Sequence, residues 1–196
     1  MTNREIERRN PETVAAIAEH YRQILTLLGE DPQREGLVKT PERAAKAMLD
    51  ATMGYVGDAE GLATKAIFEH TGTGIVIVKD IEFYSLCEHH ILPFFGRISV
   101  GYLPKGKIIG LSKLARIVNV YAKRLQVQER LTEQICTFLT RMIPNRGVMV
   151  ACTAEHLCMK MRGVEKQESA TVTTECSGDF LNSPELRAEF MRLTGL

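Results

Sequence analysis

The chain has 196 residues, of which 44% are hydrophobic and 25% charged, and its formal net charge is +1. Such a chain can bury a core, and a charge near zero is not typical of a general nucleic-acid-binding protein. No apolar run reaches the about 18 residues of a membrane span, and residues 1–10 lack the apolar core of a secretion signal. We therefore expect a cytoplasmic protein without a nucleic-acid or membrane partner.

Three segments share one helix-start pattern, in which a capping side chain is followed by proline and glutamate. They begin at Asn10, Thr40 and Ser183, and each continues into apolar residues at helical spacing. The first two fall in residues 1–55, which we predict as an amino-terminal helical region. Residues 56–196 are predicted to form a second unit.

The middle of the chain is rich in strand patterns. Residues 75–85 and 94–110 are predicted as strands, the latter turning back at 104–107 as an antiparallel hairpin. Helices are then predicted over 111–125 and 126–143, a long strand over 147–162 and a further strand over 169–176. This order predicts an α+β fold with two helices packed on one face of an antiparallel sheet.

The segment SLCEHHILPF places a thiol, a carboxylate and two imidazoles in four consecutive positions, 87 to 90. Cys87 and His90 are three residues apart, so their side chains converge on a turn but not on an extended strand. Pro93 favours a break there. Sulfur and imidazole are ligands that zinc prefers, so the pair is a candidate half of a zinc site.

His156-Leu157-Cys158 is the candidate second half, because on a strand the His156 and Cys158 side chains would share a face. Four protein ligands would make a closed, structural site, whereas three leave a position for water, whose pKa zinc lowers toward about 7. Spacing leaves this count open. The alternative is that these are ordinary buried residues, which is the interpretation we give to the other three cysteines. Those are Cys136, Cys152 and Cys176.

A candidate anion site lies at the start of the helix predicted from 111. Gly110 and Ser112 leave backbone donors free at the positive end of the helix dipole, and Lys113 and Arg116 share a face. Taken alone, such cations are usually a solvated face. Arg43 and Arg162 are further cations near these elements, and several converging arginines would suit a polyphosphate. The candidates are Ser112, Lys113, Arg116, Arg162 and Arg43.

Gln128 and Glu129 stand at the start of the next helix. An acid in a first turn is explained by the helix dipole alone. The functional alternative is that the Glu129 carboxylate accepts two parallel hydrogen bonds from an amidine-like edge, such as the ring N–H and amino group of guanine.

Four blocks of the sequence together resemble GTP cyclohydrolase I, the zinc enzyme family that opens pteridine and folate biosynthesis. They are REGLVKTPERAAKAM, SLCEHHILPFFGRISVGYLP, GLSKLARIVNVYAKRLQVQERLTEQI and EHLCMKMRGV, and the resemblance runs from about residue 30 to 190. Long, unusual blocks in the correct order are far more specific than a single short motif.

The resemblance implies a reaction and a ligand set. Zinc would be held by Cys87, His90 and Cys158, which leaves a water site. The family hydrolyses GTP at purine C8, releases formate, rearranges the ribose and closes a pteridine ring, giving 7,8-dihydroneopterin triphosphate. Zinc-bound hydroxide attacking C8 is the natural first step.

It also implies roles for the remaining candidates. His156 would be a proton donor or shuttle and His89 would assist near the ribose, while Glu129, with Gln128 beside it, would anchor guanine. Ribose and triphosphate would be contacted by Ser112, Lys113, Arg116, Arg162 and Arg43. Because the triphosphate does not react, its binding energy would place C8 over the metal.

The family's fold is the tunnelling fold, whose subunits join their sheets into a barrel, commonly as a homodecamer with sites at subunit interfaces. The resemblance therefore implies that residues 56–196 form the catalytic tunnelling-fold domain. It also implies that Arg43 and Glu129 could reach a zinc held by a neighbouring chain.

Two other classes of function remain open from the residues. A structural zinc module would use His156 as a fourth ligand and show no turnover. A sister activity on the same fold, processing a deazaguanine or forming a pteridine, would keep Glu129 without needing the whole set of triphosphate contacts.

Overall fold

The computed structural model describes residues 9–196, which form two compact units divided between Gly57 and Asp58. The prediction that residues 56–196 are one catalytic domain concerns function and stays a prediction, and the first eight residues of the predicted amino-terminal region lie outside the described part. Within residues 9–196, no helix combines the length and apolar character that a membrane span requires.

The first unit is a pair of helices followed by a short 3-10 turn. Helix α1 spans Pro11–Leu27 and helix α2 spans Thr40–Ala51, and the turn covers Met53–Tyr55. The predicted start at Asn10 is confirmed, and its side chain caps α1 by accepting from the Thr13 amide at 2.6 Å. A helix also begins at Thr40 as predicted, but the capping role of Thr40 is wrong, because Lys39 is the N-cap and no side-chain cap hydrogen bond forms there. The two helices share a small apolar core made of Val14, Ala18, Ala45 and Leu49.

The second unit contains seven strands and six helices among its described residues. Its strands are β1 Ile67–Glu69, β2 Val76–Cys87, β3 Pro93–Pro104, β4 Lys107–Ile109, β5 Leu125–Gln126, β6 Asn145–His156 and β7 Thr171–Cys176. Its helices are α3 Ala59–Thr64, α4 Leu111–Ala122, α5 Gln128–Met142, α6 Leu157–Lys160, α7 Asp179–Asn182 and α8 Pro184–Thr194. The predicted α+β class is confirmed.

Five strands form the main sheet in the order β5-β2-β3-β6-β7. Its long central pairs are antiparallel, and only the two-residue β5 runs parallel to its neighbour β2. The β2–β3 pairing ends at Leu86 opposite Pro93, and the β3–β6 pairing ends at Phe94 opposite His156. One end of the sheet therefore brings the ends of β2 and β6 to either side of the start of β3.

Helices α4 and α5 cover one face of this sheet, as predicted. Alternate residues of β3 and β6, such as Ile98 and Val150, point into a core with buried helix residues such as Ile117 and Ile135. The intervening residues face the other way, where Met149 and Ala151 pack with Phe180 of α7 and Phe190 of α8. The carboxyl-terminal helices thus cover part of the opposite face.

The predicted hairpin at 104–107 is wrong. Strand β4 pairs with β1 in a separate two-stranded sheet, with Ile109 opposite Ile67. The reason is that both edges of β3 are already occupied: Tyr102 pairs with Val76 of β2, and Leu103 pairs with Gly147 of β6. A strand that follows β3 must therefore find its partner elsewhere.

Candidate functional site

The predicted turn after Cys87 is confirmed. Strand β2 ends at Cys87, whose carbonyl accepts from the amides of His90 at 3.3 Å and Ile91 at 2.8 Å, and whose amide donates to the Leu92 carbonyl. Ile91 takes a left-handed conformation with φ of 55° to complete the turn. The result is that Cys87 Sγ lies 3.8 Å from His90 Nδ1.

Cys158 completes a three-residue group with this turn. The ligand atoms of Cys87, His90 and Cys158 all lie within 4.8 Å of one another, with Cys87 buried, Cys158 half-buried and His90 exposed. Burial raises the pKa of the Cys158 thiol, and the neighbouring Cys87 raises it further. When both thiols are deprotonated, a bound cation stabilises the pair of neighbouring thiolates.

The strand predicted over 147–162 is too long. Strand β6 ends at His156, and Leu157–Lys160 form the short helix α6, so His156 and Cys158 do not share a strand face. The reason is that His156 pairs with Phe94, near the start of β3, and the chain beyond it has no β3 partner left. Its backbone therefore bonds locally, as in the bond from the Met161 amide to the Leu157 carbonyl.

His156 lies between an aromatic ring and an amide. Its ring stacks on Phe94 with 4.7 Å between centroids and 3° between planes, and its Nε2 lies 2.8 Å from Gln128 Oε1. Burial lowers the pKa of His156, and the Glu129 carboxylate opposes that shift. The imidazole is thus held in one orientation, and its burial favours the neutral form.

The surroundings of Gln128 assign the orientation of its amide. The side chain is buried, and Nε2 lies within 3.2 Å of three acceptors, the Cys152 and Thr171 carbonyls and Thr173 Oγ1. Since the amide nitrogen faces these acceptors, its oxygen faces His156 and must accept a proton from Nε2. The neutral His156 therefore carries its proton on Nε2 and keeps Nδ1 as its acceptor.

Glu88, inside the turn, forms an ion pair with Arg130 of α5. The two terminal guanidinium nitrogens donate to the two carboxylate oxygens, Nη2 to Oε1 at 2.9 Å, and Arg130 holds the pKa of Glu88 below its usual range. His89, whose side chain is exposed, has its Nε2 3.9 Å from the same Oε1. Glu88 therefore links the turn that carries His89 to the start of α5, which carries Arg130.

The predicted anion-binding residues are less closely assembled. Ser112 and Arg116 are exposed and Lys113 half-buried in the first turns of α4, while Arg162 lies close enough to Cys158 to lower its pKa. Across residues 9–196, the structure gives these three cations no side-chain hydrogen bond or ion pair. Arg43 belongs to the first unit, on α2. Their role in binding a polyphosphate stays a prediction, as does the exposed Glu129 at a guanine edge.

Three residues near the candidates were missed from the sequence: Phe94, Thr173 and Arg130. Glu88 was noted only as part of the motif. Phe94 follows Pro93 and Arg130 follows Glu129, so sequence proximity was the one available signal. Thr173 and Arg130 contact residues 45 and 42 positions away, and Phe94 stacks on His156, so all three contacts depend on the sheet register.

Comparison with known proteins gives one consistent result. The family model described as GTP cyclohydrolase I matches residues 17–195. Among curated relatives named GTP cyclohydrolase 1, one from Chlorobaculum tepidum is 51% identical over 187 residues, covering 95% of this chain and 84% of its own. Another from Bacteroides fragilis is 55% identical over 174 residues, covering 89% of each chain.

Two further similar proteins match this chain over different shares of their own length. A Drosophila melanogaster protein named GTP cyclohydrolase 1 is 52% identical over 177 residues, which cover 90% of this chain and 55% of the fly protein. Among solved structures, the archaeosine synthase QueF-Like in the apo form has a TM-score of 0.45 and 17% identity, covering 55% of this chain and 97% of its own. The latter likeness is too slight to support a conclusion about fold or function.

Proposed function

Because this chain belongs to the GTP cyclohydrolase I family, we propose that it hydrolyses GTP at purine C8, releases formate, rearranges the ribose and closes the ring to 7,8-dihydroneopterin triphosphate. The chain is an enzyme, since relatives about half identical over most of its length are named GTP cyclohydrolase 1. The observation that carries the proposed reaction is the convergence of Cys87, His90 and Cys158.

The donor set fits zinc. Tetrahedral zinc with one sulfur and one nitrogen ligand separates those two atoms by about 3.6 Å. The distance from Cys87 Sγ to His90 Nδ1 is 3.8 Å, and Cys158 supplies a second thiol within reach. We therefore assign these three residues as zinc ligands. When bound, zinc would supply the Lewis acidity that makes a water-derived nucleophile available near neutral pH.

His156 would move protons to and from the purine imidazole nitrogens through its Nδ1. Gln128 holds the Nε2 proton at the other side of the ring, so Nδ1 is the atom free to take up a proton. The same amide oxygen continues to accept from Nε2 when the ring becomes charged. Stacking on Phe94 prevents the ring from turning away.

The other end of the substrate would be bound by charge and hydrogen bonds. Glu129 would accept hydrogen bonds from the guanine edge. The guanine role predicted for Gln128 stays a prediction, since its side-chain amide already bonds to the Cys152 carbonyl and to His156. His89 would assist proton movements near the ribose. The ribose and triphosphate would be bound by Ser112, Lys113, Arg116, Arg162 and Arg43. Lys113 and Arg116 of α4, which have no side-chain hydrogen bond or ion pair within residues 9–196, support this assignment.

Assembly and location are also proposals. We expect the tunnelling fold, a homodecamer whose sheets join into a barrel, and sites at subunit interfaces to which Arg43 and Glu129 of a neighbouring chain contribute. Strand β7, at the end of the sheet order and paired with β6, is available for such joining. A cytoplasmic location without nucleic-acid or membrane partners remains the expectation from the sequence.

The decisive experiment measures formate released from GTP and zinc content on the same purified sample, before and after chelation and re-addition of metal. We expect formate with zinc present, none after chelation, and recovery with zinc. A fully zinc-loaded protein that releases no formate would contradict the proposed reaction and favour a closed structural site or a sister activity.

A further inference from the structure

The ion pair between Glu88 and Arg130 joins two segments whose relative position must stay fixed for the proposed chemistry. Glu88 lies in the turn between Cys87 and His90, and Arg130 lies in the first turn of α5. The pair is bidentate, with Nη1 donating to Oε2 and Nη2 donating to Oε1. A bidentate pair fixes both distance and relative orientation, which a single contact does not.

A backbone connection supports the same junction. The Glu88 amide donates to the Gln126 carbonyl at 3.0 Å, and Cys87 pairs with Gln126 where β5 runs beside β2. Gln126 is two residues before the helix that carries Arg130. The turn is therefore attached to the start of α5 at two points, one through the backbone and one through side chains.

The start of α5 is also where the second half of the candidate site is organised. Gln128 holds His156 through its amide oxygen, and Glu129 precedes Arg130 directly. A displacement of the turn relative to this helix would change the separation between Cys87 and His90 on one side and His156 on the other. A near-attack geometry tolerates little such displacement.

We propose that Glu88 and Arg130 are a positioning pair, which sets the distance between the metal-binding turn and the helix start whose Gln128 holds His156. This inference rests on the proposed function. Neither residue is placed in contact with substrate, so each acts through the residues beside it.

An ordinary surface ion pair would not have this effect, and α5 contains one for comparison. Arg141, in its last turn, donates to Glu60 of α3 at 2.7 Å, with both side chains about two-thirds exposed, 65% and 64%. Exposed ion pairs of this kind contribute little to stability. Glu88 is only 29% exposed and lies between two proposed ligands, so its pair is the better buried of the two.

The test uses the zinc-loaded full-length protein and four variants around the pair: Glu88→Gln, Arg130→Met, their double variant and Arg130→Lys. Arg141→Met is the matched control. The rate of zinc transfer to an excess of a coloured chelator is measured, with circular dichroism to verify folding. We expect each single variant to release zinc about tenfold faster. The double variant should release zinc no faster than the faster of the two single variants, because both changes remove the same contact.

Arg130→Lys should restore the rate only in part, because lysine keeps the charge but not the bidentate geometry. Arg141→Met should release zinc at the wild-type rate. For turnover, we expect the single variants to lower kcat with little change in KM for GTP. Zinc release within twofold of wild type in both single variants, or multiplicative effects in the double variant, would overturn the positioning role.

A second readout needs no metal. In the chelated protein, hydrogen exchange of the turn at residues 88–92 should be several-fold faster in Arg130→Met than in Arg141→Met, and equal rates would overturn the proposal. A wild-type protein that holds no zinc would overturn both the proposed function and this inference. A zinc-loaded wild type without formate release would contradict the proposed function alone, since zinc transfer and exchange can still be compared.

Discussion

Gln128 Oε1 and His156 Nε2 lie 2.8 Å apart, and this contact joins the first turn of α5 to the end of β6. The amide cannot reverse without placing its oxygen against the Cys152 and Thr171 carbonyls. The His156 tautomer is therefore set by Gln128, which lies 28 positions away in the sequence.

Replacing Gln128 with methionine tests this arrangement. Gln128→Met keeps the side-chain length but removes the acceptor for His156, so we expect kcat for formate release to fall about tenfold or more, with zinc retained. The Cys152 and Thr171 carbonyls also lose a donor, which should cost about 1–3 kcal/mol of stability. Formate kinetics, zinc content and chemical denaturation measure the three effects.

Thr173→Val is the matched control, because it removes one partner of the Gln128 amide and leaves the His156 contact intact. It should lose some stability and keep kcat near wild type. If Gln128→Met and Thr173→Val lost kcat equally, the loss would come from reduced stability and not from the missing contact with His156.

His156→Ala should keep zinc and turn over far more slowly. His156 is outside the group formed by Cys87, His90 and Cys158, and general acid–base groups contribute about 100-fold to 10,000-fold to rate. Zinc by elemental analysis and single-turnover formate release check this. A variant that loses its zinc would instead make His156 a ligand. His20→Ala, on an exposed position of α1, is the control.

Cys87→Ser and Cys158→Ser should each lose zinc and formate release together. Serine does not supply the thiolate that zinc prefers, and two ligands hold the metal poorly. Zinc stoichiometry after gel filtration measures the loss. Cys176→Ser, outside the three-residue group, should retain both properties. Stoichiometric zinc in both ligand variants would contradict the assignment.

The metal-free protein should form a disulfide between Cys87 and Cys158 on exposure to air. Their sulfur atoms lie within 4.8 Å, close enough for a small adjustment of the turn to join them. Cys136 and Cys152 are internal controls, because burial raises their pKa values to about 11 and about 12 and keeps them as inert thiols. Mass mapping after oxidation should find the one pair, and free thiols at both positions would argue against their proximity.

GTP should raise the melting temperature well beyond guanosine at equal concentration, because the triphosphate adds contacts to the native state alone. Arg116→Ala should reduce this difference, since Arg116 lies in the first turns of α4 without an ion-pair partner in the described chain. Lys123→Ala, at the other end of the same helix, should leave it unchanged. Equal stabilisation by both ligands would favour the sister activity.

Local chemistry made much of the architecture predictable. The helix starts at Asn10 and Ser183 follow from capping side chains and a following proline, and the turn after Cys87 follows from the spacing of Cys87, His90 and Pro93. These features depend on residues a few positions apart. The order of strands and helices was likewise enough to predict the α+β class.

The errors concern pairing between distant segments. Strand β4 pairs with β1 because β3 has no free edge, and the chain leaves the sheet after His156 because its ladder partner ends. Neither fact is encoded in a local pattern. The contacts of Glu88 with Arg130 and of Gln128 with His156 join residues 42 and 28 positions apart, so they became visible only with the register of the sheet.

The arrangement of β2, β3 and β6 also has a consequence for how the protein is made. Cys87 ends one outer strand of this trio, His90 lies in the turn that follows it, and Cys158 follows the other outer strand, so the three meet only after β3 has paired on both sides. A shift of β6 by one residue would turn its side chains to the wrong face. Because non-local pairing tends to form slowly, we expect metal uptake to follow completion of the sheet, and zinc content should report correctly folded molecules.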